Sequence, residues 1–347
     1  MLDPVISRRA TKSILFRRLS ILLAILFTCV SAHAQNPLPI SPAPPPPPPP
    51  GAQGQKTDQG GYRIKASVDL VVLHTTVADD KGQFVSDLGK NNFRVFEDKV
   101  EQTLSVFSRE DIPLTMGLVI DNSGSMREKR AQVNAAALTF VRTSNPQDEV
   151  FVVNFNDEFY LDLNEDFTSD AKELNDALER IDTRGSTALY DAIIGSLDHL
   201  KKGHKDKRIL LVVTDGDDDA SRKTFEYTVK VAQQSNAEIY AIGVFSDDDR
   251  KSNKKMVRNS KRILSTLAEA TGGLAYFPDN LGQVESVCAQ VARDIRNQYT
   301  LGYYPTNSSK DGTFRAVQVQ IVSSKGHGKL SARTRTGYYA QKASQGQ

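Results

Sequence analysis

The chain has 347 residues, 39% hydrophobic and 25% charged, a balance that excludes a fibrous or wholly disordered protein and leaves room for about two domains. Formal charge is +2, but residues 1–34 hold five basic residues and one acid; without them 39 Lys and Arg face 41 Asp and Glu, which argues against a dedicated nucleic-acid binder. Two cysteines, Cys29 and Cys288, exclude a disulfide framework and a Cys-rich zinc site, and five histidines leave little material for a His-built cluster.

Basic residues up to Arg18 precede the apolar run Leu19 to Val30, and Ala32-His33-Ala34 is a small-x-small cleavage signature before Gln35. The run falls short of the roughly 20 residues that span a bilayer. Residues 1–34 therefore read as a signal peptide cleaved before Gln35, which leaves no transmembrane segment; a retained anchor is the alternative. Pro37 to Pro50 ends in seven consecutive prolines, which fix φ and remove amide donors, so a stiff polyproline II spacer is expected. With the Gly-rich continuation to Gly61, residues 35–61 read as a disordered linker.

Residues 62–109 read as a small β segment. Val68, Leu70 and Val72, then after a phase shift Leu73 and Val77, suggest one strand; Phe93–Glu97 and Thr103–Phe107 suggest two more. From Leu114 apolar runs at Met116–Ile120, Val150–Phe155, Ile209–Val213 and Ile239–Val244 are interleaved with helical patterns at Lys129–Arg142, Ala171–Ile181, Ala188–Lys201, Thr224–Gln234, Ser260–Ala270 and Leu281–Asn297. Runs such as Ile209-Leu210-Leu211-Val212-Val213 lack alternation, as strands buried on both faces do. The fold class is α/β, with a doubly wound, mostly parallel sheet. Beyond residue 298, Tyr299–Tyr304, Phe314–Val322 and Leu330–Arg335 are strand-like again. Neither β flank can easily bury a face alone, so residues 298–340 are expected to pack with 62–109 as one small β unit.

In a doubly wound fold the ligand site lies beyond the carboxyl ends of the strands. Met116–Ile120 runs into Asp121-Asn122-Ser123-Gly124-Ser125, Ile209–Val213 runs into Thr214-Asp215-Gly216, and Arg184-Gly185-Ser186-Thr187 precedes a helix. These loops would bring two carboxylates, Asp121 and Asp215, together with the hydroxyls of Ser123, Ser125 and Thr187. All are hard oxygen donors that suit Mg²⁺ or Mn²⁺ better than zinc. A helix-capping role for Asp121 and the serines is the plain alternative, and it leaves Thr187 and Asp215 unexplained.

Asp-x-Ser-x-Ser after a buried strand, a Gly-x-Thr loop and an Asp-Gly after another strand resemble the von Willebrand factor A-type domain, over residues 112–297. The wider layout is similar to that of the bacterial von Willebrand factor A-related proteins described in acidobacteria. The resemblance implies a metal-ion-dependent adhesion site in which Ser123 and Ser125 ligate directly, Thr187 ligates in at least one state, and Asp121 and Asp215 act largely through waters. It also implies a protein partner that offers an Asp or Glu carboxylate to the ion.

Asp215 to Asp219 does not continue as a calcium loop, because Ala220 stands where the sixth-position glycine is required. Asp217, Asp218 and Asp219 are expected instead at the partner-binding rim. Ser246 to Arg262, with three aspartates and seven Lys or Arg, reads as a solvated charged loop. Cys288 reads as a buried thiol, and His74, His199, His204 and His327 as surface or edge residues. No nucleophile elbow, phosphate loop or dinucleotide fingerprint is present, so no enzyme activity is expected. The sequence thus describes an exported, metal-dependent protein-binding protein of a bacterial envelope or its exterior. A scaffold whose metal site serves stability is the alternative.

Overall fold

A computed structural model describes residues 55–56, 62–63, 69–109, 111–142, 145–179, 183–322 and 328–342. The signal peptide and proline run lie outside the described residues. Within the expected linker, β1 (Gln55–Lys56) pairs antiparallel with β2 (Tyr62–Arg63), so this part of the stretch is paired rather than free.

The strands β3 (Val71–Ala78), β4 (Phe93–Glu97), β5 (Val100–Gln102) and β6 (Leu104–Ser108) come first. In β3 the odd positions Val71, Leu73, Thr75 and Val77 face the core, and Leu70 and Val72 are exposed. Of the two phases expected from the sequence, the structure keeps the second, Leu73 and Val77, and corrects the first, Leu70 and Val72; both alternate equally well, and only packing chooses between the two faces.

The α/β unit follows: β7 (Leu114–Asp121), α1 (Arg130–Arg142), β8 (Glu149–Phe155), β9 (Phe159–Leu161), α2 (Ala171–Glu179), α3 (Leu189–His199), β10 (Lys207–Thr214), α4 (Phe225–Gln234), β11 (Glu238–Gly243), α5 (Asp247–Ser252), α6 (Lys254–Thr271), β12 (Ala275–Tyr276) and α7 (Val284–Arg296). Its six strands lie in the order β12-β11-β10-β7-β8-β9, parallel except for the edge strand β9. Every residue of β7 is buried, which is why its middle, Met116 to Ile120, is an unbroken apolar run. Gly117 in this strand has no room for a side chain: a Cβ would meet the Phe151 ring at 2.4 Å and Leu210 at 2.6 Å. On one face α1, α2 and α7 pack Val133, Phe140, Leu178 and Val291 against Met116, Leu118 and Ile120. On the other, α3, α4 and α6 pack Ile193, Leu197, Ala232, Leu264 and Leu267 against Val119, Phe151 and Leu210. The sheet is doubly wound. From β7 the chain runs outward to β8 and then returns to β10 on the opposite side, so the strand order reverses between β7 and β10.

The remaining strands β13 (Tyr299–Tyr303), β14 (Phe314–Ile321), β15 (Ser331–Arg333) and β16 (Gly337–Tyr339) return to the first segment. They build two four-stranded sheets with it, β15-β3-β13-β6 and β16-β14-β4-β5. Leu73, Val95, Tyr299 and Leu301 form the shared core, and the Phe93 and Tyr299 rings meet at 4.9 Å. The buried Glu97 carboxylate accepts from Tyr303 Oη at 2.8 Å and Tyr338 Oη at 2.9 Å, which satisfies a charge inside that core. The α/β sheet therefore carries a small β unit made from both flanks.

Two further expectations are corrected. Ser246 to Arg262 is helical rather than a loop: Ser246 and Asp249 form a reciprocal capping box, acids fill the first turn of α5 and bases its last turn, and α6 starts at Lys254. His199 is buried rather than superficial, its ring 4.6 Å from Phe151 and its Nε2 2.9 Å from the Asp166 carbonyl. Cys288 is a free buried thiol whose pKa burial pushes up to about 12.

Candidate metal centre

The point where the strand order reverses is where a doubly wound sheet opens between its loops. Asp121 ends β7, Asp215 follows β10, and Val213 pairs with Ile120 across the two strands, which sets the two aspartates side by side at one edge. Asp121 Oδ1 accepts the Ser123 amide at 2.8 Å, a tight Asx turn that swings the chain out of the strand. Ser123 Oγ lies 3.1 Å from Ser125 Oγ. Asp121, Ser123, Thr187 and Asp215 are at most 5% exposed, whereas Ser125 faces solvent, so the cluster is a buried floor with a hydroxyl at its mouth.

Thr187 is placed through its backbone. Its amide donates to Asp219 Oδ1 at 2.7 Å, and its carbonyl accepts the amides of Asp219 and Ala220, both at 3.1 Å. The same loop is tied to the first one by Gly124 N to Gly185 O and by Arg184 N to Asn122 O, each 3.0 Å. Gly185 has φ +76, and a Cβ there would lie 2.1 Å from Asp157 Oδ2. Asp157 Oδ1 in turn accepts the Ser186 amide at 2.9 Å. Asp157 thus fixes the Thr187 loop from below, a role nothing in its sequence neighbourhood announces. Of the three rim aspartates, Asp217 and Asp219 are exposed and Asp218 is half-buried. Asp218 accepts from Tyr190 N at 3.2 Å and Ser221 Oγ at 2.6 Å, and Asp219 serves Thr187, so these two carboxylates hold the loop itself. Burial raises the pKa of Asp218, and burial plus the charges of Asp215 and Asp219 raises that of Asp217.

Two further residues join the site that the sequence did not single out. Thr214 donates its hydroxyl to Asp121 Oδ2 at 2.5 Å and accepts the Gly216 amide at 2.8 Å. Lys129, only 2% exposed, places Nζ 3.0 Å from Asp215 Oδ2 and 2.9 Å from Asp249 Oδ2. Burial opposes its charge, but the two carboxylates outweigh burial and hold its pKa above the ordinary lysine value. Burial and the Asp215 charge push Asp121 up to about 7, while the hydrogen bonds from Ser123 and Thr214 restrain it.

Among the described residues no group of three or more His, Cys, Asp or Glu forms a metal cage. What the loops offer is hydroxyls beside two carboxylates, and Asp215 Oδ1 is buried with no hydrogen-bond partner. A buried carboxylate oxygen without a donor is costly unless a cation or water answers it. The donor set and this orphaned oxygen both fit a hard divalent ion.

Residues 116–217 match the von Willebrand factor type A domain family. No curated protein matches the chain significantly. Among solved structures the chain is similar to an aerotolerance-related membrane protein from Bacteroides fragilis (18% identity, 52% of this chain and 98% of that one, TM-score 0.43). It is similar also to the vWF domain of the type V pili tip protein Mfa5 from Porphyromonas gingivalis (11% identity, 53% and 95%, TM-score 0.44). A third is proximal thread matrix protein 1 of the mussel byssus, solved with a zinc-occupied MIDAS motif (15% identity, 56% and 48%, TM-score 0.45). With its doubly wound sheet and the match across β7 to β10, this chain carries a von Willebrand factor type A domain.

Proposed function

We propose that the domain is a metal-dependent protein-binding module, exported to the bacterial envelope or beyond, rather than an enzyme. The observation that carries this reading is the orphaned Asp215 Oδ1 in a hydroxyl-rich cluster that opens at Ser125. Ser123, Ser125 and Thr187 would hold Mg²⁺ or Mn²⁺, with Asp121 and Asp215 acting behind them. A bound divalent ion supplies an electrophilic position for an outside oxygen, and the mostly neutral hydroxyl ligands leave that position partial to a carboxylate from a partner's Asp or Glu. Asp121, whose free carboxyl burial holds near neutrality, keeps Ser123 and Thr214 in place around it. Asp217, an exposed acid of the rim, would favour cations and repel acidic ligands on its side. The four histidines beyond residue 34 lie outside the three loops, so those loops offer Ser123 no histidine as a base.

The test is calorimetric titration of the folded domain with Mg²⁺, with Asp121→Ala beside it and circular dichroism as the folding control. Asp121→Ala is expected to lose at least about tenfold in affinity with its fold retained, one broken charge-assisted contact being worth that much. A partner isolated in Mg²⁺ should be released by chelator. Equal Mg²⁺ binding in Asp121→Ala refutes the site, and a partner fully retained in chelator promotes the scaffold reading.

A further inference from the structure

Lys129 stands in the charged run Arg127-Glu128-Lys129-Arg130, whose other members do not share its burial. It sits one residue before α1, its amide bonded to the Met126 carbonyl at 2.9 Å and its carbonyl accepting from Val133 at 3.1 Å, so its backbone belongs to the loop that carries Ser123 and Ser125. Its ammonium reaches across to the two neighbouring loops. One contact is Asp215 Oδ2, behind β10. The other is Asp249 Oδ2, the oxygen that also accepts the Ser246 amide at 2.8 Å in the α5 capping box. A single buried cation thus touches the loops after β7, β10 and β11. Asp215 is 1% exposed and Asp249 17%.

Without Lys129 this edge of the sheet would hold Asp121, Asp215 and Asp249 close together with no positive charge among them. Buried like charges without a partner repel and are costly to desolvate, and the loops that carry them would part. A divalent ion among the hydroxyls of Ser123, Ser125 and Thr187 would relieve Asp121 and Asp215, whereas among the described residues the Asp249 carboxylate meets the site through Lys129. The geometry points to Lys129 as a resident counter-cation that keeps the three loops assembled and α5 docked whether or not a divalent ion is present, so that the metal site is preformed rather than assembled by its metal. The divalent-ion half of this inference rests on the metal-binding reading above; the docking of α5 does not.

Arg250, Lys251, Lys254 and Lys255 make α5 and the start of α6 a natural reporter, because trypsin cuts there only when the helix opens. In the wild-type chain, cleavage at these positions is expected to be equally slow in chelator and in Mg²⁺. Lys129→Met, close in size but neutral, should be cut about tenfold faster in chelator, as the loss of a buried ion pair implies. Because Asp215 then lacks its counter-charge, the rise in melting temperature on adding Mg²⁺ should be larger in Lys129→Met than in wild type. A purely structural lysine would leave that increment unchanged. If Lys129→Met does not fold, Asp249→Asn decides: its side chain is partly exposed, its capping oxygen is kept, and only the ionic tie is lost, for roughly threefold faster cleavage. Wild-type cleavage that is fast in chelator and slow in Mg²⁺ overturns the proposal, as does wild-type-like cleavage of both variants in chelator. If Mg²⁺ stabilises neither protein, the metal reading fails, and the chelator comparison still decides whether Lys129 docks α5.

Discussion

Thr214 shows how much of the site depends on one hydroxyl. It gives its proton to Asp121 Oδ2 and takes one from the Gly216 amide, and Gly216 itself sits at φ +77, where its loop turns away from the strand. Thr214→Val keeps the shape and removes both bonds, leaving a buried carboxylate oxygen and a buried amide unanswered. The expected cost is roughly 1–3 kcal/mol, read as a lower urea midpoint with an unchanged slope. A loss within about 0.5 kcal/mol, the range of an indifferent surface change, would show that water replaces the hydroxyl. At this scale the sequence exposed the residues that stand in a recognisable order, Asp121, Ser123, Ser125, Thr187 and Asp215. It hid Thr214, Lys129 and Asp157. Their parts depend on which loop lies opposite, and a lysine inside Arg-Glu-Lys-Arg reads as solvated until packing buries it.

Among the elements, β11 opens with a buried acid, Glu238. Its Oε2 accepts from Gln298 Nε2 at 2.7 Å, and its Oε1 is without a partner. Burial pushes its pKa up to about 7, against the pull of Lys207 and the Gln298 hydrogen bond. The folded-state value lies above the unfolded one, so between the two the folded chain holds a proton that the unfolded chain has released. Stability from this group is therefore fully present below the unfolded pKa of 4.5 and is lost as pH rises through 7, by about 3 kcal/mol at most. Glu238→Gln should remove that slope: its stability relative to wild type is expected to rise between about pH 5 and pH 8 in paired urea titrations. A constant difference would mean that Glu238 is ionised throughout. Periodicity found the long helices and the buried strands, but it missed the edge strands β9 and β12, of three and two residues. Segments that short carry no period, and their pairing partners define them. The charged run that became α5 and the head of α6 was legible only through its capping residues, Ser246 and Asp249.

At the scale of the whole molecule, β13 lies between β3 and β6, with Leu301 opposite Leu73 on one side and Phe107 on the other. Ending the chain at Asn297 removes this middle strand and three more, and it exposes Leu73, Val95 and Phe93. Limited proteolysis should then cut within residues 71–108, while the α/β unit, whose core shares none of these residues, stays protected. Continued protection of 71–108 would show that the first flank folds without the second. The same flank is bound to the α/β unit by a buried network in which Asp294 of α7 accepts from Thr76 Oγ1 at 2.8 Å, Tyr276 Oη at 3.1 Å and the Arg333 guanidinium.

The sequence alone determined the α/β class, the parallel order implied by unalternating apolar runs, and the three loops whose hydroxyls and carboxylates suit a hard cation. These follow from local composition and period, which a strand buried on both faces or a turn rich in small oxygen-bearing side chains must have wherever it sits. The tertiary structure decided the face of β3, the burial of His199, the service of Asp218 and Asp219 to the Thr187 loop, and the reach of Lys129 across three loops. Each of these is a choice between two chemically permitted neighbours. Only the closing of residues tens or hundreds of positions apart, with the desolvation that comes with it, makes one of them cheaper.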